Sequence, residues 1–294
     1  MKDTLRFRCS QHFLSLALIL VGISAAIPAS ADVVYSTMPT PIPPNVPSLG
    51  YQATQTAEFG QGVDLSSSGG ATLGSAQVLM SNWALESTYE PVGTSTGFTV
   101  PLTLNLYNVG PSNSVGSLIS STTIDALINW RPEASSGCTG GAYMASDGNC
   151  YNGQDQVVTF NLANVAVPQQ FIYGLAFNTQ TWGANPTGTT GPYNSLNFGL
   201  LGDGTNPVTP FVGTDISPNS AYWNTSTAGY YGDGGAGGTD TFRLDANNWQ
   251  GYDPAVTFFS SSAVPEPRNV GLFAGLIVFA GLYLTRRIRR ASIQ

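Results

Sequence analysis

Residues 98–107 alternate apolar and polar side chains along their whole length. Phe98, Val100, Leu102, Leu104 and Leu106 fall on one side of this alternation. A β-strand points successive side chains to opposite faces, so the pattern predicts a strand with one buried face; a helix would scatter the same residues around its axis. The period recurs in shorter or weaker runs at residues 78–85, 158–162, 171–177, 196–200, 222–225 and 256–259.

Turn-forming residues bound most of these runs, and no long helical pattern lies between them. The chain holds 34 Gly and 19 Pro, yet 42% of it is hydrophobic, which is enough to bury a sizeable core. Many short strands separated by turns favour an antiparallel arrangement. We therefore expect a mainly β fold, an antiparallel β-sandwich or jelly-roll-like domain over residues 49–260. Pro101, inside the clearest strand, predicts an edge position or a bulge.

Charge is distributed unevenly along the chain. Between residues 32 and 263 the sequence keeps two cations, Arg131 and Arg243, against fifteen acids, and the other eight basic residues lie near the two ends. We expect each of these two arginines to pair with an acid. An acidic field of this kind repels nucleic acid, so a nucleic-acid partner is excluded.

The first 31 residues are typical of a secretion signal. A basic start with Lys2, Arg6 and Arg8 precedes an apolar run at 13–26. Small residues then end at Ala31, which predicts cleavage between Ala31 and Asp32. We expect a signal helix read by Sec-type export machinery, with an uncleaved anchor as the alternative. Residues 32–48 hold five prolines and predict a Pro-rich linker.

The last residues of the chain combine three features. Pro265-Glu266-Pro267 precedes an uncharged apolar run at 270–284, and a basic cluster follows it: Arg286, Arg287, Arg289 and Arg290. We expect a transmembrane helix at about 269–285. Fifteen helical residues span only about 22 Å, but flanking arginines can snorkel and the bilayer can thin. The positive-inside rule keeps the arginines cytoplasmic and the preceding domain outside the inner membrane.

This order of motif, helix and arginines over residues 261–294 resembles the PEP-CTERM sorting domain. The resemblance implies that an exosortase-type membrane protease recognises Pro265, Glu266 and Pro267 and removes the helix. It also implies a Gram-negative host that makes extracellular polysaccharide, with the protein ending in the cell envelope or the extracellular matrix. The alternative is a plain C-terminal membrane anchor.

Two cysteines remain after the signal peptide, Cys138 and Cys150, since Cys9 lies within it. Two cysteines close together in an exported, Gly-rich stretch predict one disulfide. That bond would fix a loop that has little core of its own.

The residue types needed for most catalysis are missing from the same span. Beyond His12 in the signal peptide the sequence has no histidine, and residues 32–263 contain no lysine. This excludes Ser-His-Asp and Cys-His systems, Schiff bases and His-ligated zinc. Paired carboxylates for glycoside hydrolysis remain as the weakest hypothesis. The candidates for such a pair are Glu58, Glu86, Glu90 and Glu133.

Two binding chemistries stay open. Asp147, Asn149 and Asp155 place oxygen ligands in one stretch and are candidate calcium ligands, although the spacing departs from an EF-hand and such residues also simply form turns. No other cofactor is expected. Aromatic residues of the second half can stack on sugars or fill a core. They are Trp182, Tyr193, Tyr222, Trp223, Tyr230, Tyr231, Trp249 and Tyr252.

These features lead to three hypotheses. The favoured one is a non-enzymatic envelope or matrix protein, delivered by its tail, with a structural or interaction role linked to exopolysaccharide. The second is a carbohydrate-binding module that depends on calcium in one version. The third is the carboxylate-based glycan hydrolase.

Overall fold

A computed structural model describes residues 31–206, 208–233, 241–246, 249 and 251–261. These residues belong to one compact unit, Ala31–Ser261, with its own hydrophobic core. None of its helices is long and apolar enough to cross a membrane. Most of the predicted signal peptide, the Pro-Glu-Pro motif, the predicted transmembrane helix and the arginine cluster lie outside the described residues.

The described chain is built mainly from strands. They are β1 Val33–Ser36, β2 Ser48–Gly50, β3 Thr56–Asp64, β4 Ala71–Asn82, β5 Gly97–Val109, β6 Val115–Asn129, β7 Tyr143–Met144, β8 Cys150–Tyr151, β9 Gln154–Val167, β10 Gln170–Ala176, β11 Leu196–Leu201, β12 Thr214–Asp215, β13 Ala221–Thr225, β14 Arg243–Asp245, β15 Asp253–Pro254 and β16 Val256–Ser260. The short helix α1 spans Glu86–Tyr89, and 3₁₀ turns span Pro111–Asn113, Pro192–Ser195 and Ala228–Tyr230.

The strands form two antiparallel sheets and one two-stranded hairpin. Sheet 1 follows the order β1-β16-β4-β11-β15, with β2 paired to β11 and β9 paired to β4. Strand β4 lies at the centre of sheet 1. Strand β9 pairs with one edge of β4, and β16 and β11 pair one after the other along its opposite edge. Sheet 2 follows the order β14-β13-β3-β10-β5-β6, with β12 paired to β3. The prediction of a mainly β, antiparallel fold is confirmed.

The core lies between the inner faces of the two sheets. Phe171 of sheet 2 meets Phe258 of sheet 1 edge-on, with ring centroids 5.2 Å apart. Phe59 of sheet 2 meets Phe198 of sheet 1 in the same way at 6.4 Å. Aromatic pairs prefer this edge-to-face geometry, and their burial supplies much of the stabilisation of the domain.

Each run with the two-residue period overlaps a strand, and these strands are β4, β5, β9, β10, β11, β13 and β16. The run at 78–85 extends three residues beyond the end of β4, and the run at 171–177 extends one residue beyond β10. Strand β3 was missed, although it pairs with β10, β12 and β13. Its outward positions include Gly60 and Gly62, which hide the alternation. A Cβ on Gly60 would lie 1.8 Å from the carbonyl oxygen of Tyr173, so only glycine allows that approach.

Pro101 is outward-facing, as expected, but its strand is not at the edge of the sheet. Strand β5 lies between β10 and β6. The pairing with β10 ends at Thr103, so the edge of β5 next to Pro101 has no β10 partner. A proline is tolerated there because no ladder hydrogen bond is lost.

The expected Pro-rich linker over residues 32–48 is wrong. Residues 33–36 are strand β1, which pairs with β16, and residues 37–47 cross the outer face of sheet 1 as a segment that we name the strap. Met38 and Val46 of the strap are buried against Leu79 and Ala255. These apolar side chains cover part of the outer face of sheet 1 and are thereby removed from water. The number of prolines in the segment does not indicate this contact.

Backbone hydrogen bonds hold the strap along its length. The amide of Thr37 donates to Val256 O at 2.9 Å, and the amide of Asp155 donates to Pro44 O at 3.0 Å. The amide of Leu200 donates to Pro47 O at 2.7 Å. The domain therefore begins at the start of the described chain rather than at residue 49. The amide of Asp32 donates to the Oγ of Ser260 at 3.0 Å, so residues near the two ends of the unit are neighbours.

The predicted disulfide is confirmed. Cys138 and Cys150 are bonded, with Cα atoms 5.8 Å apart. Cys150 lies in β8, which forms the hairpin with β7. Tyr143 of that hairpin is buried, and its hydroxyl donates to Gly153 O at 3.1 Å. The crosslink thus ties a Gly-rich loop to a hairpin that is itself anchored on the domain.

Replacement of Met38 tests the strap. We expect Met38→Ala to lower the free energy of unfolding by about 2 kcal/mol or more, because a buried side chain is truncated. Ile42→Ala is the matched control in the same segment, and its half-exposed side chain predicts a change within about 0.5 kcal/mol. Urea unfolding followed by tryptophan fluorescence measures both. An unchanged unfolding midpoint for Met38→Ala would contradict a stabilising role of the strap.

Removal of the disulfide tests its contribution. A bridge that closes a loop of this length is worth about 3 kcal/mol in the chain-entropy model, so Cys138→Ser/Cys150→Ser should lower stability by up to that amount. Urea unfolding of the variant is compared with the wild type before and after reduction. Reduced wild type should match the variant, and two reactive thiols in unreduced protein would contradict the bond.

Candidate functional site

Three of the four candidate glutamates organise one loop. The carboxylate of Glu86 accepts the amides of Gly93 and Thr94, each at 2.8 Å, and of Ser95 at 3.0 Å. These backbone hydrogen bonds, that of Ser95 first, lower the pKa of Glu86. Glu90 accepts the hydroxyl of Ser95 at 2.9 Å. These acceptors are therefore already used in holding the chain after α1.

Glu133 serves the same region. It accepts both the amide and the hydroxyl of Ser87, at 3.1 Å and 2.9 Å. The three carboxylates therefore already have protein donors, each close to α1. Their observed contacts shape the loop after α1.

Glu58 lies apart from them, in the middle of β3. Its Oε1 accepts Asn105 Nδ2 and the hydroxyl of Tyr107, both at 2.9 Å. Burial raises the pKa of Glu58, and these two hydrogen bonds lower it less. A Cβ on the facing Gly174 would lie 2.2 Å from that oxygen, so the glycine makes room for the carboxylate. The contacts of Glu58 are thus with β5 and not with the other candidate acids.

The candidate calcium ligands have different roles. Asp147 accepts the amide and side-chain nitrogen of Asn149 and the hydroxyl of Tyr151, the last at 2.8 Å. These bonds lower the pKa of Asp147 and define a turn. Asp155 lies in β9 beside the strap, where burial raises its pKa to about 7. In the described part of the chain no three His, Cys, Asp or Glu side chains are grouped to hold a metal.

Most of the candidate sugar-binding aromatics belong to the core. Tyr222, Trp223 and Tyr231 are buried, and Trp249 packs on Phe59 with ring centroids 4.9 Å apart. Tyr193 and Tyr252 also pack against the core, whereas Tyr230 is exposed. The alternative that these rings fill the fold is therefore the one observed for most of them.

The two internal arginines differ. Arg243 pairs with Asp233, with Nη1 2.7 Å from a carboxylate oxygen, and its guanidinium lies 3.7 Å from the ring centre of Tyr231. Arg131 instead donates to two carbonyl oxygens, those of Trp83 at 3.1 Å and Pro132 at 3.2 Å. Both cations are engaged in stabilising the fold.

A groove lies along one side of the strap, on the outer face of sheet 1. Its volume is about 410 Å³. We name it the strap groove, and its lining is Val33, Ser36, Met38, Thr40, Ile42, Gln77, Val157, Thr257 and Phe259. Sequence reasoning missed it because the strap, which forms one wall, was expected to be a linker.

The lining determines what the strap groove can do. Its lining holds no acid, base or thiol, so the hydroxyls of Ser36, Thr40 and Thr257 have no base beside them in the groove. It combines apolar side chains with hydroxyls and one amide, a composition that suits neutral ligands with both C–H and O–H groups. Ser36 and Thr257 already hydrogen-bond to each other at 2.8 Å, which orders one end of the wall.

A pair of acids in contact was also missed by sequence reasoning. Asp215 is partly buried and touches Asp253, which is only 3% exposed. Glycosidase carboxylates stand about 5–9 Å apart on either side of a substrate, so two carboxyls in contact do not fit that reaction. Their separation of 38 positions in the chain gives no signal that they meet.

No protein-family model, curated protein or solved structure matches this chain. Its role is therefore inferred from its own residues and their contacts.

Proposed function

We propose that this chain is an exported, membrane-sorted protein whose β-sandwich acts without catalysis in the cell envelope or extracellular matrix, in contact with exopolysaccharide. The observation that carries the proposal is the uncharged, hydroxyl-bearing strap groove on the outer face of sheet 1. Two sheets that share one core support the assignment of a sandwich.

The disulfide supports the exported location. Disulfides persist in oxidising compartments outside the cytoplasm. Cys138 and Cys150 are bonded, which agrees with the signal peptide expected over residues 1–31. The sorting tail with Pro265, Glu266 and Pro267 then directs the protein to the inner membrane, where an exosortase-type protease processes it.

The groove supports a neutral sugar as the contact. The domain is strongly acidic overall, so it repels acidic polymers, while the groove itself carries no charge. Flat apolar walls can pack on the C–H face of a sugar ring, and the groove supplies Gln77, Ser36 and Thr40 for hydroxyl contacts. This favours carbohydrate binding as the specific form of the interaction.

Deletion of residues 264–294 tests the sorting role. In the native host the truncated protein should leave the membrane fraction and lose the processing step, because the helix and motif are removed together. The matched control Pro265→Ala/Pro267→Ala keeps the helix and arginines. It should remain membrane-bound and unprocessed, as detected by immunoblotting of fractions. Processing that continues in the control would favour the plain anchor, and unaltered localisation after the deletion would contradict the proposal.

Obstruction of the strap groove tests carbohydrate binding. Ile42→Trp places a large ring over the groove and should weaken binding of neutral oligosaccharides at least tenfold in isothermal titration calorimetry. Val92→Trp, at a residue that is 62% exposed and outside the groove, is the matched control and should bind like the wild type. A glycan panel on which the wild type shows no binding would count against this form of the interaction.

A further inference from the structure

A partly buried acid, Asp215, and a buried one, Asp253, connect the two sheets. Asp215 closes β12 at the edge of sheet 2, and Asp253 opens β15 at the edge of sheet 1. Their carboxyl groups lie in hydrogen-bonding contact with each other. Among the described strands no pairing joins β12 to β15, so this contact is made by side chains alone.

Each carboxyl group has one donor of its own. The hydroxyl of Tyr35 donates to Asp215 Oδ1 at 2.5 Å, and Gln61 Nε2 donates to Asp253 Oδ1 at 3.0 Å. Gln61 also donates to Ser220 O at 2.8 Å, which fixes its amide in place. Among the described residues, Asp253 Oδ2 is buried with no donor.

Two ionised carboxylates cannot be joined to each other, since both only accept hydrogen bonds. A proton or a cation has to lie between them. The remaining polar groups nearby are Gln61 and the hydroxyls of Tyr35 and Tyr173, and the Tyr173 hydroxyl donates to Pro254 O. Among the described residues no third Asp, Glu, His or Cys side chain joins the pair to hold a metal ion, so a proton is the better occupant.

Neither arginine of the described chain compensates the charge of the pair. The groups that face it are Tyr35 from β1, Gln61 from β3 and Tyr173 from β10, and neither Arg131 nor Arg243 perturbs either acid. Asp253 is 3% exposed, and its ionised form would lie beside the negative charge of Asp215, so retaining one proton on the pair is the less costly state.

We propose that Asp215 and Asp253 share one proton that clasps sheet 1 to sheet 2, and that loss of this proton in alkaline solution loosens the domain. The clasp is independent of the proposed function, because it lies in the core and not in the strap groove. It makes the domain a structure that is most stable in mildly acidic surroundings.

The direction of the pH effect follows from the pKa values. Burial first, and then the charge of Asp215, raise the pKa of Asp253 to about 8, whereas an unfolded aspartate titrates near pH 4. Between these values the folded state binds more protons than the unfolded state. The contribution to stability is therefore complete below about pH 4, falls as pH rises, and is lost above about pH 8. Tyr35 and Tyr173 stay neutral there, since burial raises their pKa values well above 10.

Two other acids titrate in the same direction. Burial raises the pKa of Asp155 to about 7 and also raises that of Glu58. The pH dependence of the wild type alone therefore does not identify the clasp. Asp155→Asn is the matched control, because it removes a buried acid from the strap and leaves the pair intact.

The experiment measures melting temperature from pH 5 to 9 for the full-length chain in detergent micelles. The wild type and Asp155→Asn should both lose stability between pH 5 and 8, and the curves should level off above that range. Asp253→Asn, which donates to Asp215 without a titrating proton, should lose less than half as much over that interval. Infrared spectra at neutral pH should show a protonated carboxylic C=O band in the wild type that is weakened in Asp253→Asn.

Distinct outcomes overturn the proposal. Equal losses in the wild type and Asp253→Asn would show that the pair does not titrate there. A melting temperature that rises with added calcium and falls with chelator would place a cation between the acids. If Asp253→Asn does not fold, Tyr35→Phe replaces it. That variant removes one donor to Asp215, so the alkaline loss should move to higher pH, and an unmoved loss contradicts the clasp.

Discussion

The contact between the inner faces of the two sheets is the interaction on which the rest of the described domain depends. Rings such as Phe59, Phe171, Phe198 and Phe258 cross this boundary edge-on, and their burial removes a large apolar area from water. A chain with only 9% charged residues has few surface ion pairs to add, so packing has to supply most of the stability. Polar groups inside this interior are shielded from water, so their protonation and hydrogen bonding depend on the side chains around them.

The outer faces of the two sheets are covered in different ways. On sheet 1 the strap lays Met38 and Val46 over Leu79, which creates a second, small core and leaves a groove at its side. On sheet 2 the cover includes Ile216, which lies close enough to β3 that Gly62 has no room for a side chain. An all-β domain thus covers its apolar outer faces with loop segments, and one of these coverings also forms the candidate binding surface.

The acidic residues of this protein fall into two groups with different surroundings. Glu86, Glu90 and Glu133 accept hydrogen bonds from loop residues and organise the chain around α1. For Asp155, Asp253 and Glu58 the loss of contact with water outweighs the hydrogen bonds that they accept, so their pKa values are raised. The first group shapes loops at the end of the sheets, and the second makes the stability of the domain sensitive to pH. Neither of these two arrangements forms an open pair of carboxylates on either side of a cleft.

The sequence by itself determined the mainly β class, seven of the strands and the partners of the disulfide, because side-chain alternation and cysteine spacing are local properties of the chain. It missed β3, where outward glycines interrupt the pattern, and it misjudged the strap, where prolines resemble a spacer. The strap groove and the Asp215–Asp253 pair were decided only by tertiary structure. Each is built from residues far apart in the chain, and their chemistry follows from burial, which only the packed sheets create.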